Sequence, residues 1–167
     1  RGLDPDKAVA TGEVLVAAGF RLIEVPLNSP QPLTSIRRLA EALGARAVIG
    51  AGTALGAAEV EAAARAGGRL IVSPNTDVAV IRATKAAGLV SLPGAMTPSE
   101  MFAALAAGAD AIKLFPGELI PPAAVAALAA VAPKGTRFLP VGGVGPGEIA
   151  AYRARGATPQ VAQEAIQ

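Results

Sequence analysis

Asp110-Ala111-Ile112-Lys113-Leu114-Phe115-Pro116 is an apolar run too short for a helix, closed by proline and interrupted by one cation. The chain has only four lysines. Lys7 and Lys85 fall in segments with helical spacing, and Lys134 follows a proline in a turn. Lys113 alone breaks what reads as a buried strand. Burying an ammonium is costly unless it is paired or neutralised. Either the strand ends there and the side chain snorkels to water, or the position serves chemistry.

The segments around this run give the strand its context. Working back from it, Leu89 to Leu92, Leu70 to Pro74, Ala47 to Gly50 and Arg21 to Pro26 are short β-branched or aliphatic runs closed by Gly or Pro. Working forward, Arg137 to Val141 is another. Between them lie helical patterns, each stopped by glycine or proline: Asp4 to Ala18, Leu33 to Leu43, Ala57 to Ala66, Asp77 to Ala87, Thr97 to Ala107, Pro121 to Val131 and Pro146 to Ala154. Asp4-Pro5 and Thr97-Pro98-Ser99-Glu100 carry N-terminal capping signals. Regular strand–helix alternation predicts a parallel sheet with crossover helices. Near-equal units with polar or Gly/Pro residues after the strands favour a (β/α)8 TIM barrel over a doubly wound sheet. The expected domain is one barrel over residues 1–167. Six strands are clear, and the first and eighth strands of the barrel look missing or incomplete. Arg1-Gly2 stands where the tail of the first is expected. After Gly156-Ala157, where the eighth is due, come Thr158-Pro159-Gln160 and a short helix.

Composition narrows the chemistry. At 167 residues and 52% hydrophobic the chain can bury a core. A net charge of +2, with arginines scattered and aromatics scarce, gives no nucleic-acid footprint. The most apolar segment, Leu119 to Ala132, is broken by Pro121 and Pro122 and falls short of the ~20 residues that span a bilayer. No partner of either kind is expected, and the cytoplasm is the expected location. With no His and no Cys, His-based triads, thiol nucleophiles and ordinary zinc sites are excluded.

Strand alternation pairs Lys113 with Glu24. Ile23 and Val25 take one face and Glu24 the other, as Ile112 and Leu114 oppose Lys113. If the aliphatics face the helices, a carboxylate and an amine point into the barrel; otherwise the two are unrelated rim charges or a structural ion pair. A lysine of ordinary pKa is less than ~0.1% neutral at pH 7, and burial gives a usable amine. A neighbouring glutamate can move protons during carbinolamine formation. Gly50-Ala51-Gly52-Thr53 reads as a tight turn or as a cradle for a carboxylate or carbonyl oxygen. Gly142-Gly143-Val144-Gly145-Pro146-Gly147 is a glycine-rich turn or, as in many barrels, a phosphate seat.

Five motifs occur in order: Ile23-Glu24-Val25-Pro26-Leu27-Asn28-Ser29-Pro30, Gly50-Ala51-Gly52-Thr53, Ile71-Val72-Ser73-Pro74-Asn75, Ile112-Lys113-Leu114-Phe115-Pro116 and Val141-Gly142-Gly143. Together they resemble the 2-keto-3-deoxy-6-phosphogluconate and 6-phosphogalactonate aldolases, class I enzymes on a (β/α)8 barrel. The resemblance implies a covalent Schiff base on Lys113, with no metal or other cofactor, and Glu24 as general acid/base. It implies substrate contacts from Arg1, Thr53, Phe115, Val141, Gly142 and Gly143, the two glycines at the phosphate. The substrate would be a phosphorylated 2-keto-3-deoxy sugar acid, and the assembly a homotrimer. Pro26 to Pro30 and Val141 look more like the phosphogalactonate branch. The family's eighth strand carries a Gly-x-Gly-Ser segment for which no match follows Ala157. Two other functions fit the barrel: a phosphate-binding isomerase or epimerase with Glu24 as base, and an inactive barrel acting as a binding or assembly module.

Overall fold

The computed structural model describes residues 2–158. Helices and strands alternate throughout: α1 (Pro5–Ala17), β1 (Leu22–Pro26), α2 (Pro32–Leu43), β2 (Val48–Gly52), α3 (Ala57–Arg65), β3 (Leu70–Val72), α4 (Val78–Ala86), β4 (Val90–Leu92), β5 (Gly94–Ala95), α5 (Pro98–Ala106), β6 (Ile112–Leu114), α6 (Pro122–Val131), β7 (Phe138–Pro140) and α7 (Ile149–Ala154). Short 3-10 turns at Gly117–Leu119 and Pro146–Glu148 precede α6 and α7. Asp4 caps α1, Asp77 caps α4, and Thr97 with Glu100 forms the expected capping box on α5. Each satisfies N–H groups that the first helical turn leaves open.

Every strand pairing is parallel. The order is β1-β2-β3-β4 and β5-β6-β7. The expected strand from Leu89 to Leu92 is found as β4, and a second short strand, β5, follows it past Pro93, which has no N–H to donate. The wall nevertheless continues across the break. Ser73 N–H donates to Leu92 O (3.2 Å), and Lys113 N–H to Pro93 O (2.9 Å). β4 and β5 share one position, so the described strands fill six positions of an α/β barrel wall. Thr158 N–H donates to Phe138 O (2.8 Å), on β7's far edge where a further strand would join. Among the described residues no strand precedes α1 or follows α7; the expected short helix beyond Gln160 lies outside them.

Two faces of the wall bury different sets of side chains. Ile23, Val25, Ile49, Ala51 and Ile71 pack outward against Ile36, Leu39 and Leu43 of α2 and Val60 and Ala63 of α3. Ile112, Leu114 and Phe138 do the same against α5, α6 and Tyr152 of α7. The opposite face forms a separate cluster of Leu70, Val72, Leu92, Ala111, Leu139 and Val141, with Val48 and Val90 against it. That cluster is the barrel lumen. Alternation along parallel strands puts every member on the inner face, as a closed barrel demands.

Candidate active site

The register assigns Lys113 and Glu24 to the lumen face. Lys113 lies level with Leu139 on β7 and Gly94 on β5, while its neighbours Ile112 and Leu114 are fully buried on the outer face. Glu24 lies level with Gly50, which lies level with Leu70. The outward aliphatics fix the direction of both charges, as alternation predicts.

Glycines clear the space around them. A Cβ on Gly52 would run into the Glu24 carboxylate, and one on Gly50 into the Leu70 carbonyl. A Cβ on Gly94 would strike the Pro74 carbonyl and sit 2.9 Å from Asn75 N. Thr76 Oγ1 donates to Gly94 O (2.7 Å), tying the loop after β3 to this close approach. Gly50 to Gly52 is therefore not the expected tight turn. It is strand, kept bare where backbones and the Glu24 side chain come close. The bend comes one residue later, at Thr53, whose φ of +57 is unusual for a β-branched residue. Such backbone outliers concentrate at functional sites.

On the lumen face of β6, the Lys113 ammonium stands 4.5 Å from the centroid of the Phe115 ring. Contacts of this kind contribute about 0.5–2 kcal/mol depending on desolvation, and Lys113 is half-buried. The ring in turn lies against Gly142, where a Cβ would sit 3.1 Å from Phe115 Cε2. Gly142 and Gly143 have φ of +89 and +68, so the turn after β7 uses two successive left-handed residues. Gly117 N–H donates to Val141 O (2.7 Å) and Glu118 N–H to Gly142 O (2.9 Å), binding the loop after β6 to the loop after β7. Tyr152 reaches from α7 to donate its hydroxyl to Gly117 O (3.1 Å). Burial, and secondarily the Glu148 carboxylate, holds the Tyr152 hydroxyl above its ordinary pKa.

Lys113, Phe115, Val141, Gly142 and Gly143 thus form one continuous surface. Glu24 lies on the lumen face of β1, and Thr53 directly follows the end of β2. Arg1 lies outside the described residues. The sequence reading missed Gly94, Gly117, Glu118 and Tyr152. Pro93-Gly94 and Pro116-Gly117-Glu118 were visible as breaks after strands, but their partners are set by loops distant in sequence. Among the described residues no three His, Cys, Asp or Glu side chains gather as metal ligands, and no helix is long and apolar enough to cross a membrane.

An amine and a carboxylate thus enter one barrel lumen, with a ring beside the amine and a left-handed glycine turn beyond it. The family model described as KDPG and KHG aldolase matches residues 3–163. The chain is 45% identical over 156 residues to a probable 2-dehydro-3-deoxy-6-phosphogalactonate aldolase of Rhizobium meliloti (strain 1021), covering 93% of this chain and 74% of that one. It is similar to a native KDPGal structure, with a TM-score of 0.92 and 43% identity over 94% of this chain and 76% of the other. A KDPG aldolase from Legionella pneumophila, solved with pyruvate captured as a covalent carbinolamine intermediate, superposes with a TM-score of 0.78 at 25% identity, covering 93% of this chain and 74% of the other. The chain is an aldolase, a carbon–carbon lyase, and belongs to the KDPG and KHG aldolase family.

Proposed function

We propose that this chain is a class I aldolase that splits 2-dehydro-3-deoxy-6-phosphogalactonate into pyruvate and D-glyceraldehyde 3-phosphate through a Schiff base on Lys113. The observation that carries it is the placement of Lys113 on the lumen face, level with Gly94 and over the Phe115 ring. A lysine so placed has room for a substrate carbon on its nitrogen. An amine must lose its proton to add to a ketone, and that is the form in which Lys113 would react.

The neutral Lys113 amine adds to the C2 ketone, and Glu24 carries protons as the carbinolamine loses water to the iminium. Loss of the C4 hydroxyl proton then breaks the C3–C4 bond. Its electron pair moves into the iminium to give an enamine, and glyceraldehyde 3-phosphate leaves. The enamine takes a proton at C3, and water hydrolyses the resulting iminium to pyruvate and free Lys113. Thr53 lies at the pyruvate half and Arg1 at the substrate by resemblance. Val141 borders the path between the cleaved bond and the phosphate, which sits on the N–H groups of the Gly142–Gly143 turn.

The galactonate epimer is favoured because Pro26 to Pro30 and Val141 resemble that branch, and because relatives at 45% and 44% identity carry phosphogalactonate aldolase names. The single barrel of residues 1–167 is the catalytic unit, acting in the cytoplasm. An uncharged groove lined by Met96, Pro98, Leu119, Ile120, Leu128 and Val131 supports self-association as a homotrimer. Steady-state cleavage of the two C4 epimers tests the substrate. The galactonate epimer should give a kcat/KM higher by about tenfold or more; preference for the gluconate epimer would overturn that assignment.

A further inference from the structure

The glycine turn after β7 has an acidic neighbour that the aldol chemistry leaves unused. Glu118 follows β6 in the 3-10 turn Gly117–Leu119. Its N–H is fixed to Gly142 O (2.9 Å), and its side chain lies along Gly143. A Cβ on Gly143 would overlap the Glu118 carboxylate oxygen and sit 2.7 Å from Glu118 Cβ and 2.8 Å from its Cδ. The carboxylate therefore rests directly on the Cα of the residue whose N–H belongs to the proposed phosphate seat. A second carboxylate closes the turn farther on, where Gly145 N–H donates to Glu148 Oε2 (2.9 Å). The Gly145 N–H is thereby engaged within the protein, which leaves the Gly142 to Val144 segment to meet an anion.

We propose that Glu118 is a specificity-determining residue of the phosphate end. Its charge opposes a phosphate dianion on the Gly142–Gly143 turn, limits how tightly that anion is held and so speeds release of the phosphorylated product. A phosphate accepting from the Gly143 N–H lies on the order of 5–7 Å from a carboxylate seated on Gly143 Cα. Glu118 is solvent-exposed, so a high local dielectric keeps the repulsion modest rather than prohibitive. The side chain also fills the space above Gly143, and contact and charge are separable by substitution.

This inference rests on the phosphate seat proposed above, and its test is independent of the aldol step. Inorganic phosphate is titrated by calorimetry into the wild-type chain, Glu118→Gln, Glu118→Ala and, as a control for net charge, Glu61→Gln on α3. Thermal melts establish that each variant is folded. Glu118→Gln keeps the shape and removes the charge, so phosphate should bind about threefold to tenfold more tightly. The gain should shrink as an inert salt is raised, and Glu61→Gln should match the wild type. Equal affinity in wild type and Glu118→Gln would overturn the proposal. Weaker binding by both Glu118 variants would overturn it too, leaving Glu118 a prop for the turn. Absence of phosphate binding in every protein would remove the seat itself. Trapping of pyruvate on Lys113 with borohydride needs no phosphate, so failure of the aldolase chemistry is read separately.

Discussion

Lys85 and Lys113 serve opposite ends of the same barrel wall and are held in opposite ways. Lys85, in the last turn of α4, reaches the start of the strands. Its ammonium donates to Asp110 Oδ2 (2.6 Å) and Leu89 O (3.1 Å), while the same Asp110 oxygen accepts from Ser91 N–H (2.8 Å). The network knits α4, β4 and the entry to β6. Three residues after Asp110, Lys113 projects inward, level with a glycine and over an aromatic ring. At one end a lysine and a carboxylate are fixed by strand-entry backbone. At the other, Lys113 and Glu24 enter a lumen from which neighbouring Cβ atoms have been removed. The ion-pair network lies at the N-terminal rim and the proposed chemistry toward the C-terminal rim, the division that (β/α)8 barrels follow.

The contrast can be broken at several points. Glu24→Gln should lower kcat/KM by roughly 10²–10⁴-fold, with the melting temperature little changed, because it removes a proton carrier and keeps the shape over Gly52. Kinetics paired with a thermal melt would check this, and a loss of stability without loss of rate would assign Glu24 to structure. Gly94→Ala drives a methyl into the Pro74 backbone, which has no flexible end to yield. It should cost about 1–3 kcal/mol, lowering Tm by about 2–4 °C per kcal/mol.

Asp110→Ala sharpens the other half of the comparison. The Lys85–Asp110 pair is more than a third exposed on both sides, so solvent screens most of its ion-pair value. The Ser91 N–H left without its acceptor raises the expected cost to about 1–2 kcal/mol in denaturant unfolding. Activity per folded molecule should be retained. The smallest effect belongs to the α5 cap. The Met96 N–H first, then the Thr97 hydroxyl, hold the Glu100 carboxyl below its ordinary pKa of 4.5. A depressed folded-state pKa stabilises the native form above the unfolded value. That contribution is lost as pH falls below 4.5 through the folded value. Thr97→Ala should weaken this acid dependence in unfolding curves and cost about 1 kcal/mol near neutrality.

Much of the barrel was legible because its signals are local. Period-two aliphatics, glycine stops and the Thr97–Glu100 box mark strands and helices without reference to anything distant. The faces of Glu24 and Lys113 followed from the same alternation. β5 was missed because two residues have no period, and Pro93 looked like an end where it is a joint. Gly50 to Gly52 read as a turn because glycine favours turns in isolation. Only the packed structure shows Leu70 O and the Glu24 carboxylate occupying the space that side chains would need. The roles of Glu118 and Tyr152 were invisible for a related reason: their partners lie 25 and 35 residues away on another loop. The catalytic role proposed for each site residue came from the ordered motifs, with strand geometry supplying a physical reason for it.

The central claim is that Lys113, among the four lysines, is the one that carries the substrate carbon. Incubation with pyruvate and borohydride, followed by peptide mass spectrometry, tests it most directly. The account predicts a reduced pyruvate adduct on the peptide holding Lys113, retained in Lys85→Met and abolished in Lys113→Met. An adduct on Lys85, or a folded wild-type protein that stays unlabelled, would contradict it.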